Sequence, residues 1–264
     1  SSKLPNMRFV DGADPAIAND FGFPVNGYES PYGSAQFVMV YDSAKVSEPP
    51  RSVAALVEWI RNNPGRFTYT APPDFAGSAF VRHIFYYAAA RADGVDGVDA
   101  LLGEFDPELF DRVAEEAWPL LNELEPALWR EGNTYPETAT QLQGLFANGQ
   151  VHFAFDYNPS AAANLISQGR YPESTRTFVF EEGRVPGTIG NTHYIGIPFN
   201  SPHKAAAMVF ANLVLSPEAQ FEKTKANVWG DLPVLALDRL PASWQERFRG
   251  LERPPSVLSP GKRG

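Results

Sequence analysis

The sequence predicts an α/β fold with largely parallel or mixed sheets, and three observations carry that reading. Short, β-rich apolar runs alternate with stretches of helical apolar spacing along most of the chain. Clusters of Gly, Pro, Asn and Asp punctuate the junctions between them. Apolar residues fill 44% and charged residues 20% of the 264 positions, a balance that sustains a sizeable core and argues against global disorder. The length suits one large domain or two modest ones.

Taken in order, the first 34 residues are turn-rich, with Asp11-Gly12, Phe23-Pro24, Asn26-Gly27 and Tyr32-Gly33 in close succession. Gln36 to Tyr41 is short and nearly all apolar, which predicts a buried strand. Ser52 is placed to cap a helix whose Val53, Leu56, Val57 and Ile60 share one face before Pro64-Gly65 stops it. Arg66 to Thr70 reads as a strand leading through Pro72-Pro73-Asp74 into a helix carrying Phe80, Val81, Ile84 and Phe85. A long helical region runs from Asp106 to Trp129, with Pro119 expected to kink or divide it. A helix from Thr138 to Ala147 ends at Asn148-Gly149, and Val151 to Tyr157 forms the next strand. A small-residue helix reaches Gln168-Gly169, followed by a strand at Thr177–Phe180, a turn at Val185–Thr188 and a strand at His193–Ile197. Ser201-Pro202 opens a helix to Leu215, and Ser216-Pro217-Glu218 starts another. The Pro-, Arg- and Gly-rich tail from Leu251 to Gly264 is expected to fray.

Charge and composition narrow the function. With 22 basic and 31 acidic residues the formal charge is −9, which disfavours nucleic acid as a partner. No run approaches the roughly 20 apolar residues of a membrane span. The absence of cysteine removes disulfides, thiolate metal sites and cysteine nucleophiles. Ser1-Ser2-Lys3 carries no signal-peptide pattern, so the chain reads as cytoplasmic or already trimmed. There is no nucleophile elbow, P-loop or dinucleotide-binding glycine fingerprint. The four histidines are too dispersed for a local metal motif, and neither a metal nor a cofactor is expected.

Polar and aromatic residues at strand ends are the stronger candidates, because ligands of open α/β sheets gather there. Asp74, Gly77 and Ser78 occupy a strand-to-helix junction. Gly77 permits close backbone approach, while Ser78 either caps the helix or presents free amides to a ligand. Asp156, Tyr157 and Asn158 end another strand, where they either stack on and bond a solute or only terminate the strand. Asn191-Thr192-His193-Tyr194 and Trp229-Gly230-Asp231 are further candidates, as are Tyr28 and Tyr32 in the turn-rich leader, where large aromatics either pack or line a cleft.

Several stretches resemble bacterial ABC-importer solute-binding proteins. They are Gly27 to Gly33 with Phe37 to Ser43, Pro49-Pro50-Arg51-Ser52, and Leu145 to Gly149 followed by Val151 to Asp156. The most specific is Ala205-Ala206-Ala207 through Phe210 and Leu213 to Leu215-Ser216-Pro217-Glu218-Ala219-Gln220. Within that superfamily, Leu4-Pro5-Asn6, Asp14 to Asp20, Arg66 to Tyr69 and Pro72 to Phe80 are most similar to the YnjB-type subgroup, placed near thiamine-, polyamine- and iron-binding relatives.

The resemblance implies a periplasmic-binding-protein-like fold of two lobes joined by hinge strands. Residues 1–39 would form a residual first lobe and hinge strand, 40–185 the second lobe, and 186–225 the return to the first. Residues 226–264 would pack across the lobes. A βαβ-rich portion of about a hundred residues would precede residue 1 in family members. The chain is therefore expected to be truncated, with exposed sheet edges that invite oligomerisation. The implied function is capture of a small polar solute in a closing cleft and its delivery to a membrane permease, outside the cytoplasm and peripheral to the membrane at most. Tyr32, Gly33, Asp74, Gly77, Ser78, Asp156, Tyr157, Asn158, Asn191, Thr192 and Trp229 would bind it. Their carboxylates and aromatic faces favour a cationic, thiamine- or polyamine-like solute. Two other readings stand beside this one. One is a secreted hydrolase or glycosidase with a carboxylate pair among Glu104, Asp106, Glu108, Glu115 and Glu116; the other is a ligand sensor for a membrane receptor.

Overall fold

A computed structural model describes residues 3–181, 187–252, 254 and 256–257. The elements run in the order α1 (Pro15–Ala18), β1 (Asn19–Asp20), β2 (Phe23–Pro24), β3 (Glu29–Gln36), β4 (Val38–Asp42), α2 (Val53–Asn62), α3 (Phe75–Leu101), α4 (Pro107–Leu124), α5 (Ala139–Ala147), β5 (Phe153–Asp156), α6 (Ala161–Ser167), β6 (Thr175–Phe178), β7 (Gly190–Gly196), α7 (Lys204–Val214), α8 (Pro217–Thr224) and α9 (Ala242–Arg249). They divide into two compact units. The first comprises Ser1–Gln36, Asn158–Ala161 and Gly190–Pro254, and the second Phe37–Tyr157, Ala162–Ile189 and Pro255–Gly264. Val185 and Pro186, where a turn and a lobe boundary are predicted, lie outside the described residues, as do residues 258–264 of the tail.

The second unit is built on β4. All five of its residues are buried, which is why Val38 to Tyr41 read as a continuous apolar run rather than an alternating one. It is the middle strand of a sheet in the order β5-β4-β6, with Val40 opposite Ala154 on one side and Thr177 on the other. Both pairings are antiparallel, as is β3 with β7. The expectation of largely parallel or mixed sheets is thus corrected for the described residues. Alternation of strands and helices fixes how often the chain returns to a sheet, but not the direction in which each strand enters it.

Helices α2 and α5 form as their caps predict. Ser52 Oγ accepts from the Ala55 amide at 3.0 Å and Thr138 Oγ1 from Gln141 at 3.3 Å. The apolar face of α2 (Val53, Leu56, Val57, Ile60) enters a core that also holds Phe67, Phe80 and Phe153. Arg66 to Thr70 is not a strand. Its carbonyls and amides go singly to separate loops, with the His152 amide on Arg66 O at 2.8 Å and the Trp129 amide on Phe67 O at 2.7 Å. The β-rich composition there reflects burial, since Phe67, Thr68 and Thr70 are fully enclosed. Pro119 leaves α4 unbroken and sits on its exposed face, where the helix carbonyl that loses its donor is open to solvent. The helix ends at Leu124, just before Pro126. Tyr32 and Gly33, read as turn, lie within β3 at a bulge between Pro31 and Gly33.

His83 is the one buried histidine of the second unit's core, 3% exposed, among the rings of Phe37 and Phe180. Its Nδ1 is 2.7 Å from Ala79 O and its Nε2 receives the Ile189 amide at 3.1 Å. A carbonyl only accepts and an amide only donates, so these partners select the neutral ring with its proton on Nδ1. Phe37, whose amide donates to Ile189 O at 2.8 Å, is where the chain first enters the second unit, and Ile189 ends one of that unit's segments. Burial pushes the imidazole down from 6.5 to about 4. The group is neutral in the fold and protonates in the unfolded chain first, so its contribution is complete above pH 6.5 and lost as pH falls towards 4. Denaturant titrations should show a loss approaching about 3 kcal/mol across that window. His83→Gln should remove this component of the pH dependence; an unchanged pH profile in that variant would refute the assignment.

Candidate functional site

In the first unit the bulge in β3 decides where Tyr32 points. Pro31 pairs with Tyr194 and Gly33 with His193, leaving Tyr32 as the extra residue. Its carbonyl, freed from the ladder, accepts from Gln220 Nε2 at 2.8 Å, and the same amide reaches Val214 O at 2.8 Å. Gln220 Oε1 takes the Val234 amide at 3.0 Å, so this one fully buried side chain ties α8 to β3 and to the segment after it. The Tyr32 ring lies 5.6 Å from His193 and 6.1 Å from Trp229, centroid to centroid.

Beneath these rings is a buried ion pair. Lys223 Nζ is 2.8 Å from Asp231 Oδ2, with the two side chains only 5% and 7% exposed. The ammonium also sits 5.9 Å from the Tyr32 ring and 5.7 Å from that of Trp229. Desolvation pulls Lys223 below its usual range and Asp231 pulls it back up. Gly33 is required here, because a Cβ at that position would collide with Asp231 Oδ2 and crowd Lys223 Nζ at 2.7 Å. Trp229 is half exposed, and its carbonyl is held by Asn158 Nδ2 at 2.9 Å. Asn158 Oδ1 takes the Ser160 amide at 2.8 Å, and Ser160 Oγ donates to Gly230 O at 3.1 Å.

A cavity of about 360 Å³ opens beside this cluster, between Tyr32, Tyr194, Asn191 and His193 with the carboxylates of Asp20 and Glu29 at its sides. Asn191 Oδ1 is buried there without a hydrogen-bond partner, and Thr192 is closed off, its Oγ1 donating to Ala16 O at 2.6 Å.

The second unit holds the remaining predicted residues as a separate group. Asp74, rather than Ser78, caps α3: its Oδ1 accepts from Ala76 at 3.0 Å, Gly77 at 3.1 Å and the Thr70 hydroxyl at 2.6 Å. Ser78 lies inside the first turn with its own amide on Asp74 O at 2.8 Å, so the capping reading is corrected. Gly77 does allow close approach, but by the Thr70 carbonyl, which a Cβ would strike. Tyr157 rests on Phe75 at 4.6 Å and on Phe37 at 5.6 Å, and burial pushes its phenol up to about 12. Asp156 faces Gln143, whose Nε2 donates at 3.4 Å. The acids of the glycosidase reading lie along exposed positions, with Asp106 capping α4 through the Glu108 and Leu109 amides. Among the described residues no group of His, Asp and Glu is placed to hold a metal.

The sequence reading thus brings Tyr32, Gly33 and Trp229 together, gives Asn158 and Thr192 holding roles, and leaves Asn191 at a cavity. It also pointed to Asp231 and His193, and missed Lys223, Gln220, Asp20 and Glu29 as parts of that site. A signal for the first existed: Gln220 and Lys223 fall on the buried face of α8 with Phe221 and Thr224, an unusual place for a lysine.

A family model of bacterial extracellular solute-binding proteins matches residues 3–247, and the chain belongs to that family. The fold is of the periplasmic-binding-protein type. The chain is similar to protein YnjB of Escherichia coli (strain K12), with 37% identity over 257 residues, 97% of this chain and 63% of that one. It therefore spans less than two thirds of that relative's length. Among solved structures, it matches the spermidine/putrescine ABC transporter substrate-binding protein PotD of Streptococcus pneumoniae strain Canada MDR_19A with a TM-score of 0.61 and 17% identity, over 93% of this chain and 64% of the other. An ABC transporter structure from Clostridium perfringens ATCC 13124 matches at 0.58 with 21% identity, over 97% and 67%. A periplasmic thiamin binding protein matches at 0.51 with 18% identity, over 94% and 67%. The family is extracellular by description, and among the described residues no helix is long and apolar enough to cross a membrane.

The ion pair generates a stability prediction. Lys223→Met leaves a buried carboxylate unpaired and should cost about 3–5 kcal/mol. The double variant Lys223→Met/Asp231→Leu should recover most of that loss in urea titrations. A double variant as unstable as the sum of the single changes would show that the two groups are not coupled.

Proposed function

We propose that this protein captures a small, positively charged organic solute outside the cytoplasm, in the periplasm, and presents it to the membrane permease of an ABC importer. The observation that carries the solute class is the charge balance of the first unit's cavity. Lys223, the nearby cation, is neutralised by Asp231 and buried, whereas Asp20 and Glu29 flank the open space beside Tyr32 and Tyr194. Acidic groups next to aromatic faces suit an amine or a cationic ring through ion pairing and cation–π attraction. Asn191 Oδ1, left without a donor, would accept a hydrogen bond from such a solute. Spermidine/putrescine and thiamin, named for two of the structurally similar proteins, belong to this chemical class.

Reversible capture needs shape and hydrogen bonds, with no covalent step. Tyr32, Asn191 and Trp229 of the first unit would supply contacts, with His193 orienting the Tyr32 ring. Gly33, Asn158 and Thr192 would keep the backbone in place around them. Tyr157 with Phe75 in the second unit offers another aromatic surface, and Asp74, Gly77 and Ser78 set the helix turn on which Phe75 stands. Asp156 adds a carboxylate beside Tyr157.

A thermal-shift series with spermidine, putrescine, thiamine, amino acids, sugars, sulfate, phosphate and ferric iron tests this reading. A cation at a hundredfold over its dissociation constant should stabilise by about 2.7 kcal/mol, raising the midpoint by several degrees. Asp20→Asn/Glu29→Gln should abolish the shift while leaving the unliganded midpoint within about 2 °C. A shift with anions or sugars only, or one that survives the double neutralisation, would sink the cationic assignment.

A further inference from the structure

We propose that the cavity between α3 and α4 in the second unit is a binding site for an aromatic carboxylate, with Arg82 as the partner of its negative charge. This site does not rest on the solute-capture reading, since its lining, drawn from residues 72–118, includes none of the groups that line the first unit's cavity.

The cavity measures about 460 Å³, within the range of small-molecule sites. Five aromatic residues line it, Phe85, Tyr86, Phe105, Phe110 and Trp118. Phe85 stacks on Phe110 at 5.5 Å and meets Trp118 edge-on at 5.2 Å. Phe105, which lies 5.9 Å from Phe110, remains 76% exposed, and Trp118 remains 47% exposed. Large rings grouped so closely usually exclude water, so a half-open aromatic cluster is a surface that a further apolar group would complete.

The backbone accounts for the opening. Helix α3 leaves helical geometry at Gly94, where φ is 67° and ψ is −146°, a conformation that favours glycine. Its last turn is thereby redirected, and Ala100 and Leu101 line the cavity together with Val81 and Phe85 from the straight part of the same helix. Leu109 and Phe110 of α4 supply the facing side.

The polar groups at the lip give the ligand its charge. Arg82 makes no ion pair with any described residue, and its field acts on the neighbouring Tyr86 phenol. Ser78 adds a hydroxyl at the same end. Of the two carboxylates at the lip, Asp106 is engaged by the Glu108 and Leu109 amides. Glu104 is the acid without such bonds, and both carboxylates oppose the anion, so Arg82 has to outweigh them by direct contact. A flat ring against Phe85, Phe110 and Trp118, with a carboxylate reaching Arg82, satisfies both the apolar wall and the uncompensated guanidinium.

The test uses 2-naphthoate, with 2-naphthamide and 2-naphthylmethylamine as its neutral and cationic counterparts, titrated calorimetrically into the whole chain. One equivalent of 2-naphthoate should bind and quench tryptophan emission, and Trp118→Phe should remove most of the quenching. Arg82→Gln should weaken the anion about tenfold, Glu104→Gln should tighten it, and Arg249→Gln, outside the cavity's lining, should leave it unchanged. Melting curves of each variant separate lost binding from lost folding. Equal affinity for the three naphthyl compounds, or an Arg82→Gln variant that binds as well as the parent, would overturn the proposal. So would a doubling of mass by light scattering that competes with 2-naphthoate, since a second copy of the chain would then be the occupant.

Discussion

The first unit depends on how one desolvated ammonium is held. Lys223 is almost fully enclosed, and an enclosed charge persists only if it is paired and its partners are fixed. Asp231 supplies the pair, and the arrangement then dictates its neighbours. Position 33 has no room for a side chain, so β3 carries Gly33 there and bulges at the residue before it. The bulge swings Tyr32 out of the strand alternation and over the ammonium. Gln220, three residues before Lys223 on α8, receives the carbonyl that the bulge has released. Trp229 closes the other side of the cation, held through its carbonyl by Asn158 from a distant part of the chain. The exposed aromatic cluster is therefore the visible end of a buried electrostatic arrangement.

The second unit solves a different problem. Its core is a dense set of phenylalanines around β4, which is enclosed on both faces. Dispersion and apolar burial dominate there, and the polar groups admitted to it have determined partners. His83 is the clearest case. It bridges Ala79 O and the Ile189 amide, and so fixes the chain where it leaves the unit, in a protonation state that water alone would not maintain at mildly acidic pH.

These two ways of building a unit leave two kinds of surface. Around the ion pair the exposed groups are aromatic, amide and carboxylate, which gives directionality and negative potential. Between α3 and α4 the lining is aromatic and aliphatic, with the Arg82 guanidinium and the Glu104 and Asp106 carboxylates among its polar groups.

Much of this was legible in the sequence, and the limit has a physical cause. Ser52, Thr138 and the Gly/Pro stops marked helices through interactions between residues three or four apart, which the chain order itself specifies. The small-residue, apolar pattern through Ser216-Pro217-Glu218 pointed to the family for the same reason. Tyr32 is a candidate because bulky aromatics among turn residues either pack or line a cleft, Trp229 through its polar-aromatic cluster with Asp231, and Gly33 through the resemblance to the hinge segment. Tertiary structure alone decided that Arg66 to Thr70 is extended without a ladder, that the described strands pair antiparallel, and that Asp74 displaces Ser78 as the cap. It alone joined Lys223 to Asp231 beneath Tyr32, and separated Asp74, Asp156 and Tyr157 from that group into the other unit. Local spacing sets which backbone groups within a turn can bond each other. The partner of a buried charge is chosen by desolvation, which acts only once distant segments have excluded water from the same place.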